Sequence, residues 1–170
     1  MASTAISSEE EKREYFDSPK ELDEKVSMLA EMVIMSQHMT VFTGAGISTA
    51  CGIPDYRSGF NTVMPTGPGC WETAANKDKY NAMINDPKKK AATGIKTQIS
   101  KAKPSLTHMG FVELMERGHL KHVISQNVDG LHRRSGIDPH RLSEVHGNTN
   151  LEICKKCGKE YMRDFRVRTA

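Results

Sequence analysis

Five groups of residues in this 170-residue chain have types and spacings that could do chemistry. The first is Gly44-Ala45-Gly46-Ile47-Ser48, where glycine lets backbone N–H groups approach an anion at the start of a helix, as in a phosphate cradle. The third glycine of a dinucleotide fingerprint would fall at Thr49, and no acidic residue closes a second strand at the usual distance. A plain strand-to-helix turn is therefore the alternative to nucleotide binding. Directly after it, Ile53-Pro54-Asp55-Tyr56-Arg57 sets a carboxylate, an aromatic ring and a guanidinium beside the turn. Arg57 suits an anion; a surface turn with an Asp–Arg pair is the plainer reading.

The third group, Gln126, Asn127 and Asp129 with His132, follows a second apolar run. Amide side chains can grip ribose hydroxyls, Asp129 can accept from an amide, and His132 reads as structural. The fourth is His146-Gly147-Asn148. A lone histidine is more often structural, yet a base titrating near neutrality is what ribose-hydroxyl chemistry needs. The fifth, Cys154-Lys-Lys-Cys157-Gly158, brings two thiolates within reach of one metal. It reads as half of a structural zinc site, because the remaining cysteines, Cys51 and Cys70, lie far upstream. A redox pair is the rival, without a thioredoxin-like setting to support it.

These groups need elements to position them. Ser18-Pro19-Lys20-Glu21 is a capping box opening a helix, and Leu22, Val26, Leu29 and Val33 share one of its faces, expected to pack on a sheet. The apolar run 38–43 reads as a buried strand entering the Gly44 turn, and Leu120–Ser125 as a second one entering the Gln126 turn. In a parallel α/β sheet both turns lie at the carboxyl ends of strands, where ligands bind. Ser105 to Arg117 reads as a helix stopped by Gly118, with short strands and the cysteine knuckle after Arg141. Residues 59–103, rich in glycine, proline and lysine, read as a mobile basic insertion holding one or two short helices. Its lysine run at 88–90 reads as a solvated loop before a nucleic-acid contact.

Net charge is +3. Residues 1–36 carry −5 and the remainder +8, an acidic leader before a basic body. No apolar run approaches the ~20 residues of a membrane span, and the first ten residues lack a signal layout, which argues against a membrane or exported protein. Four cysteines without such a signal favour metal binding over disulfides.

Taken in order, Thr43-Gly-Ala-Gly-Ile-Ser48, Gly52-Ile-Pro-Asp-Tyr-Arg57, Gln126-Asn-Val-Asp-Gly-Leu-His132, His146-Gly-Asn148 and Cys154-x-x-Cys157 resemble the sirtuin family of NAD-dependent protein-lysine deacylases. Tyr15-Phe-Asp17, Pro104-Ser-Leu-Thr-His-Met109, Leu131-His-Arg-Arg-Ser-Gly136 and Glu160-Tyr-Met-Arg-Asp164 look most like the class IV branch, whose animal members are nuclear. The resemblance implies a Rossmann-like domain and a smaller zinc domain, with NAD and an acyl-lysine protein meeting between them. Histones are among the substrates it suggests, with chromatin or nucleic-acid contact open to the basic segments. It places Gly44, Ala45, Gly46 and Ser48 on the NAD phosphates, and Ile53 and Asp129 about the nicotinamide carboxamide. Asp55, Tyr56 and Arg57 fall on the cofactor loop, Gln126 and Asn127 on the nicotinamide ribose, and His146 becomes the general base. Many members carry phenylalanine at the place of Tyr56.

The chain stops after one cysteine pair, so it reads as the N-terminal part of such a protein. The expected parts are a disordered leader (1–14), a partial Rossmann-like domain (15–58 and 104–150), the insertion (59–103) and an incomplete zinc module (151–170). Expressed alone, it is expected not to deacylate peptides; a non-catalytic, partner-binding product is the alternative function. Two thiolates where a structural site wants four predict weak zinc binding. Elemental analysis of purified monomer is expected to find substoichiometric zinc, and one tightly held zinc per chain would contradict this.

Overall fold

A computed structural model describes residue 8, residues 10–11, residues 13–86 and residues 99–167. The lysine run at 88–90 lies outside them. Helix α1 (Pro19–Met35) opens as its sequence dictates. Ser18 Oγ accepts from the Glu21 N–H at 3.3 Å, and the Glu21 carboxylate accepts from the Ser18 N–H at 2.8 Å. Its apolar face does not find the expected sheet. Leu22, Val26 and Leu29 all stay more than half exposed. The strand that follows, β1 (Met39–Thr43), is an edge strand with Phe42 exposed and only Thr43 buried, not the fully buried strand the apolar run suggests.

The sheet is parallel, in the order β1, β2 (Leu120–Ser125), β3 (Leu142–Glu144). The third strand is short, and its sequence carries no strong strand signal. Pairing aligns Thr43 with Ser125 and Ser125 with Glu144, so all three strands end level. Between β1 and β2 the chain forms α2 (Gly46–Thr49), α3 (Cys70–Ala75), α4 (Lys77–Asn85), a 3-10 turn at Ile99–Lys101 and α5 (Leu106–Glu116). Then come α6 (Leu131–Ser135), a 3-10 turn at Pro139–Arg141, and the antiparallel pair β4 (Leu151–Ile153) and β5 (Glu160–Met162) around the cysteine knuckle. None of the described helices is long and apolar enough to cross a membrane.

The central strand carries the core. Leu120 and Val123 are fully buried among Met115, Ile137 and Leu142, with Met39, Val41, Phe111, Val112 and Leu114 packed around them. Helix α5 is capped by Ser105, whose hydroxyl also donates to the Ile47 carbonyl at 3.2 Å and so ties this core helix to α2. The small antiparallel module is tied to the sheet's end by Arg133, which donates to Glu144 at 2.7 Å and to Glu160 at 2.6 Å.

Truncating the centre of this cluster removes buried methyl groups and leaves a void. Leu120→Ala is expected to cost about 2–5 kcal/mol in urea unfolding, whereas Leu106→Ala, at a side chain 91% exposed, is expected to change stability by no more than about 0.5 kcal/mol.

Candidate functional site

Level strand ends bring three turns side by side. Gly44–Gly46 leaves β1, Gln126–Gly130 leaves β2, and Val145–Asn148 leaves β3. Backbone bonds lock them: Gln126 N–H donates to Thr43 O at 3.0 Å, and Val145 N–H to Ser125 O at 3.0 Å. Asn127 then bridges the first two turns, its amide donating to Gly44 O at 2.9 Å and to Ser48 Oγ at 3.3 Å. The Ser48 hydroxyl in turn donates a hydrogen bond to Asp129 Oδ2 at 2.7 Å, and Asp129 Oδ1 accepts from the Leu131 N–H at 2.9 Å. Ser48, Asn127 and Asp129 are all buried. Such a network holds polar groups rigidly where water cannot reach them freely.

Over this knot lies a cavity of about 160 Å³, lined by Ala45, Ser48, Ile53, Pro54, Tyr56, Cys70, Ile99, Asn127, Val128 and Asp129. Six sequence-derived positions (Ala45, Ser48, Ile53, Tyr56, Asn127 and Asp129) therefore meet at one place. Gly44 contributes its carbonyl, and a side chain at Gly46 would meet open space. Gln126 is exposed and joins through its backbone. The Asp55 carboxylate turns to the Ser58 N–H and hydroxyl instead, at 3.1 and 2.5 Å. The Arg57 guanidinium lies 5.3 Å from the centre of the Trp71 ring. Cys70 and Ile99 were not foreseen; both come from the stretch read as an insertion. One signal was available: Gly67-Pro68-Gly69 sets a tight turn just before Trp71, the only tryptophan in the chain.

His146, on the turn that leaves β3, is exposed, with Nδ1 2.9 Å from the Gln126 carbonyl oxygen. A carbonyl can only accept, so Nδ1 carries the proton and Nε2 presents its lone pair. Gly147, at φ +77°, makes the turn that swings the ring there. Behind the cavity, His132 pairs its Nε2 with Thr43 Oγ1 at 2.9 Å, and its ring lies 4.9 Å from that of His108. Both rings are buried. Burial, reinforced by the neighbouring His108, pushes His132 down to about 4 against the opposing pull of Asp129; burial lowers His108 as well.

At the knuckle, Cys154 N–H donates to Lys159 O and Gly158 N–H to Cys154 O, at 2.9 and 2.8 Å. Backbone N–H groups of Cys157 and Lys156 hold the Cys154 thiol below its usual range. Among the described residues no third histidine, cysteine or carboxylate joins them.

Residues 44–169 match the Sir2 family. The chain is 46% identical over 157 residues to the NAD-dependent protein deacetylase SRT1 of Oryza sativa, covering 92% of this chain and 28% of that protein. It is 42% identical over 157 residues to the NAD-dependent protein deacetylase sirtuin-7 of Mus musculus, covering 91% of this chain and 33% of that one. A solved Sir2 structure with a p53 peptide and NAD+ superposes with a TM-score of 0.51 at 29% identity, covering 81% of this chain and 52% of that chain. The chain thus spans about a third of the curated relatives it matches and half of the solved one.

The buried histidines make stability depend on pH in a defined direction. With His132 depressed, the unfolded chain binds the extra proton first, so its contribution is complete above pH ~6.5 and is lost as pH falls toward 4. The midpoint of urea unfolding is expected to drop from pH 7 to pH 5, with a shallower drop in His132→Asn. Equal slopes would contradict this origin.

Proposed function

The chain belongs to the Sir2 family, and on that premise we propose that it forms the nicotinamide-side half of an NAD-dependent protein-lysine deacylase. The observation that carries this reading is the Asn127–Ser48–Asp129 knot under the cavity, with His146 held through Nδ1 by the Gln126 carbonyl of the same turn that supplies Asn127 and Asp129. The net reaction is transfer of the acyl group from a lysine side chain to ADP-ribose with release of nicotinamide. Its substrate is an acyl-lysine protein. The likeness to sirtuin-7 of Mus musculus supports a class IV assignment; a nuclear setting and histone substrates are part of the same proposal, from the resemblance to that branch.

The residues present suit NAD. The Gly44–Gly46 turn offers backbone at the start of α2 with no side chain larger than the Ala45 methyl, as an approaching phosphate requires. Asp129 and Ile53 sit where the carboxamide would be read, and Asn127 and Gln126 at the end of β2 would meet the adjoining ribose. Bound NAD would supply an electrophilic ribose carbon with nicotinamide as its leaving group. Tyr56 and Ile53 wall the cavity and would shield that carbon from water. His146, held by Gln126 O through Nδ1–H, accepts a ribose hydroxyl proton at Nε2, and the hydrogen bond steadies the imidazolium that results. Asp55 and Arg57 shape the cofactor loop through Ser58 and Trp71.

Cys154 and Cys157 supply two of the four ligands of a tetrahedral zinc site, with the backbone N–H pattern of a zinc knuckle already formed. A zinc held there would be structural, far from the reacting groups in role, and no step runs through it.

The test is peptide-dependent nicotinamide release from NAD, in a version extended to the length of the relatives. His146→Ala is expected to lower it by about 10² or more, as removal of a general base does, with NAD affinity little changed. Normal turnover by the variant would remove His146 from the mechanism.

A further inference from the structure

Tyr56 walls the cavity from a loop, Asp55–Ser58, that has no helix or strand of its own to hold it. Its support is the start of α3. Three N–H groups reach across in sequence: Gly69 to Ser58 O at 2.8 Å, Cys70 to Asp55 O at 2.8 Å and Trp71 to Tyr56 O at 2.9 Å. The first N–H groups of a helix have no carbonyl of their own helix to bond, so the loop and the helix satisfy each other's unpaired groups. Side chains close the same contact, with the Tyr56 and Trp71 rings 4.9 Å apart and Arg57 above Trp71.

Gly69 is where this contact admits no side chain. A Cβ there would lie 2.3 Å from the Tyr56 carbonyl carbon and 2.5 Å from both Tyr56 O and Arg57 N. Its φ of −63° and ψ of 159° are open to any residue, so the demand is for space alone. The Tyr56–Arg57 peptide lies flat against the bare Cα.

We propose that Gly69 is a positioning residue for the NAD site: by letting the Tyr56–Arg57 peptide seat flush on the start of α3, it sets the Tyr56 wall of the nicotinamide cavity. The inference rests on the reading of that cavity as the nicotinamide pocket. Gly69 touches no ligand and acts through Tyr56. A methyl group at this point must push the peptide away by about 1 Å to reach ordinary contact, and misplacements of that size can cost on the order of 10²-fold. The neighbouring Cys70 lines the cavity while its N–H holds Asp55 O, so the wall and its anchor are one short segment.

Trp71 is the chain's only tryptophan, so its fluorescence reads this contact directly. Wild-type chain, Gly69→Ala, and Gly110→Ala as a control are compared by emission, acrylamide quenching and titration with NAD. Gly110 sits in α5 with open space around it. Gly69→Ala is expected to red-shift the free emission, increase quenching, and weaken NAD binding by about tenfold or more, while Gly110→Ala matches wild type. If Gly69→Ala does not fold by circular dichroism, Cys70→Pro replaces it. Proline suits the first position of a helix, but it removes the N–H to Asp55 O and sets its ring carbon against that oxygen, and it is expected to bind NAD more weakly than Cys70→Ala. Equal NAD affinity in wild type and Gly69→Ala, or in the two Cys70 variants, would overturn the inference alone. Absence of any NAD response both in this chain and in the version extended to the length of the relatives would instead overturn the functional reading, and the inference with it; where only the extended version responds, the same variants are compared there.

Discussion

Everything at the site depends on the parallel register that ends three strands at one level. Thr43, Ser125 and Glu144 are paired neighbours, so the turns that leave them must emerge together. Each turn carries backbone groups that no strand can satisfy, and each finds its partner in the next. The Asn127 amide reaches Gly44 O, Gln126 N–H reaches Thr43 O, and Gln126 O receives the His146 ring. A shift of one residue in β2 would turn Val123 out of the core and carry Asn127 away from Ser48. The core and the site are thus set by the same register.

This arrangement costs stability locally. Ser48, Asn127, Asp129, Thr43 and His132 place a cluster of polar side chains where apolar ones would pack without desolvation. His132 is held neutral there, with Nδ1 lacking a partner among the described residues, as does Nε2 of His108. The compensating burial lies alongside it, in Leu120, Val123, Met115 and Ile137, with Phe111 touching both this cluster and the His132 ring. A rigid, dehydrated polar layer backed by an apolar one is what a site needs if its groups are to hold position before a ligand arrives.

The segment after Arg57 belongs to the site, whatever its composition suggests. Its glycines, prolines and lysines read as a loop, and its described part does contain only short helices. Yet Cys70 and Ile99 line the cavity, and Ala102 is buried in the body of the protein. The opposite holds for α1. Its capping box and apolar stripe foretold the helix correctly, while Leu22, Val26 and Leu29 remain exposed because β1 is the edge of a three-stranded sheet and turns its own Phe42 outward.

Local chemistry was legible in the sequence where neighbours along the chain decide the outcome. The α1 cap, the Gly118 stop, the two strands entering polar turns and the ordered motifs about Gly44, Ile53, Gln126 and His146 all depend on contacts within a few residues. Only the tertiary structure decided what those motifs face. Arg57 lies over Trp71 because the start of α3 offers a nearer partner than the turn after β1. Leu142–Glu144 becomes a strand because β2 has a free edge to pair with, and the proton of His146 lies on Nδ1 because a carbonyl from the adjacent strand end meets it. Spacing along a chain states which groups could act together; the direction in which each one points is set by residues distant in sequence, whose packing no local pattern records.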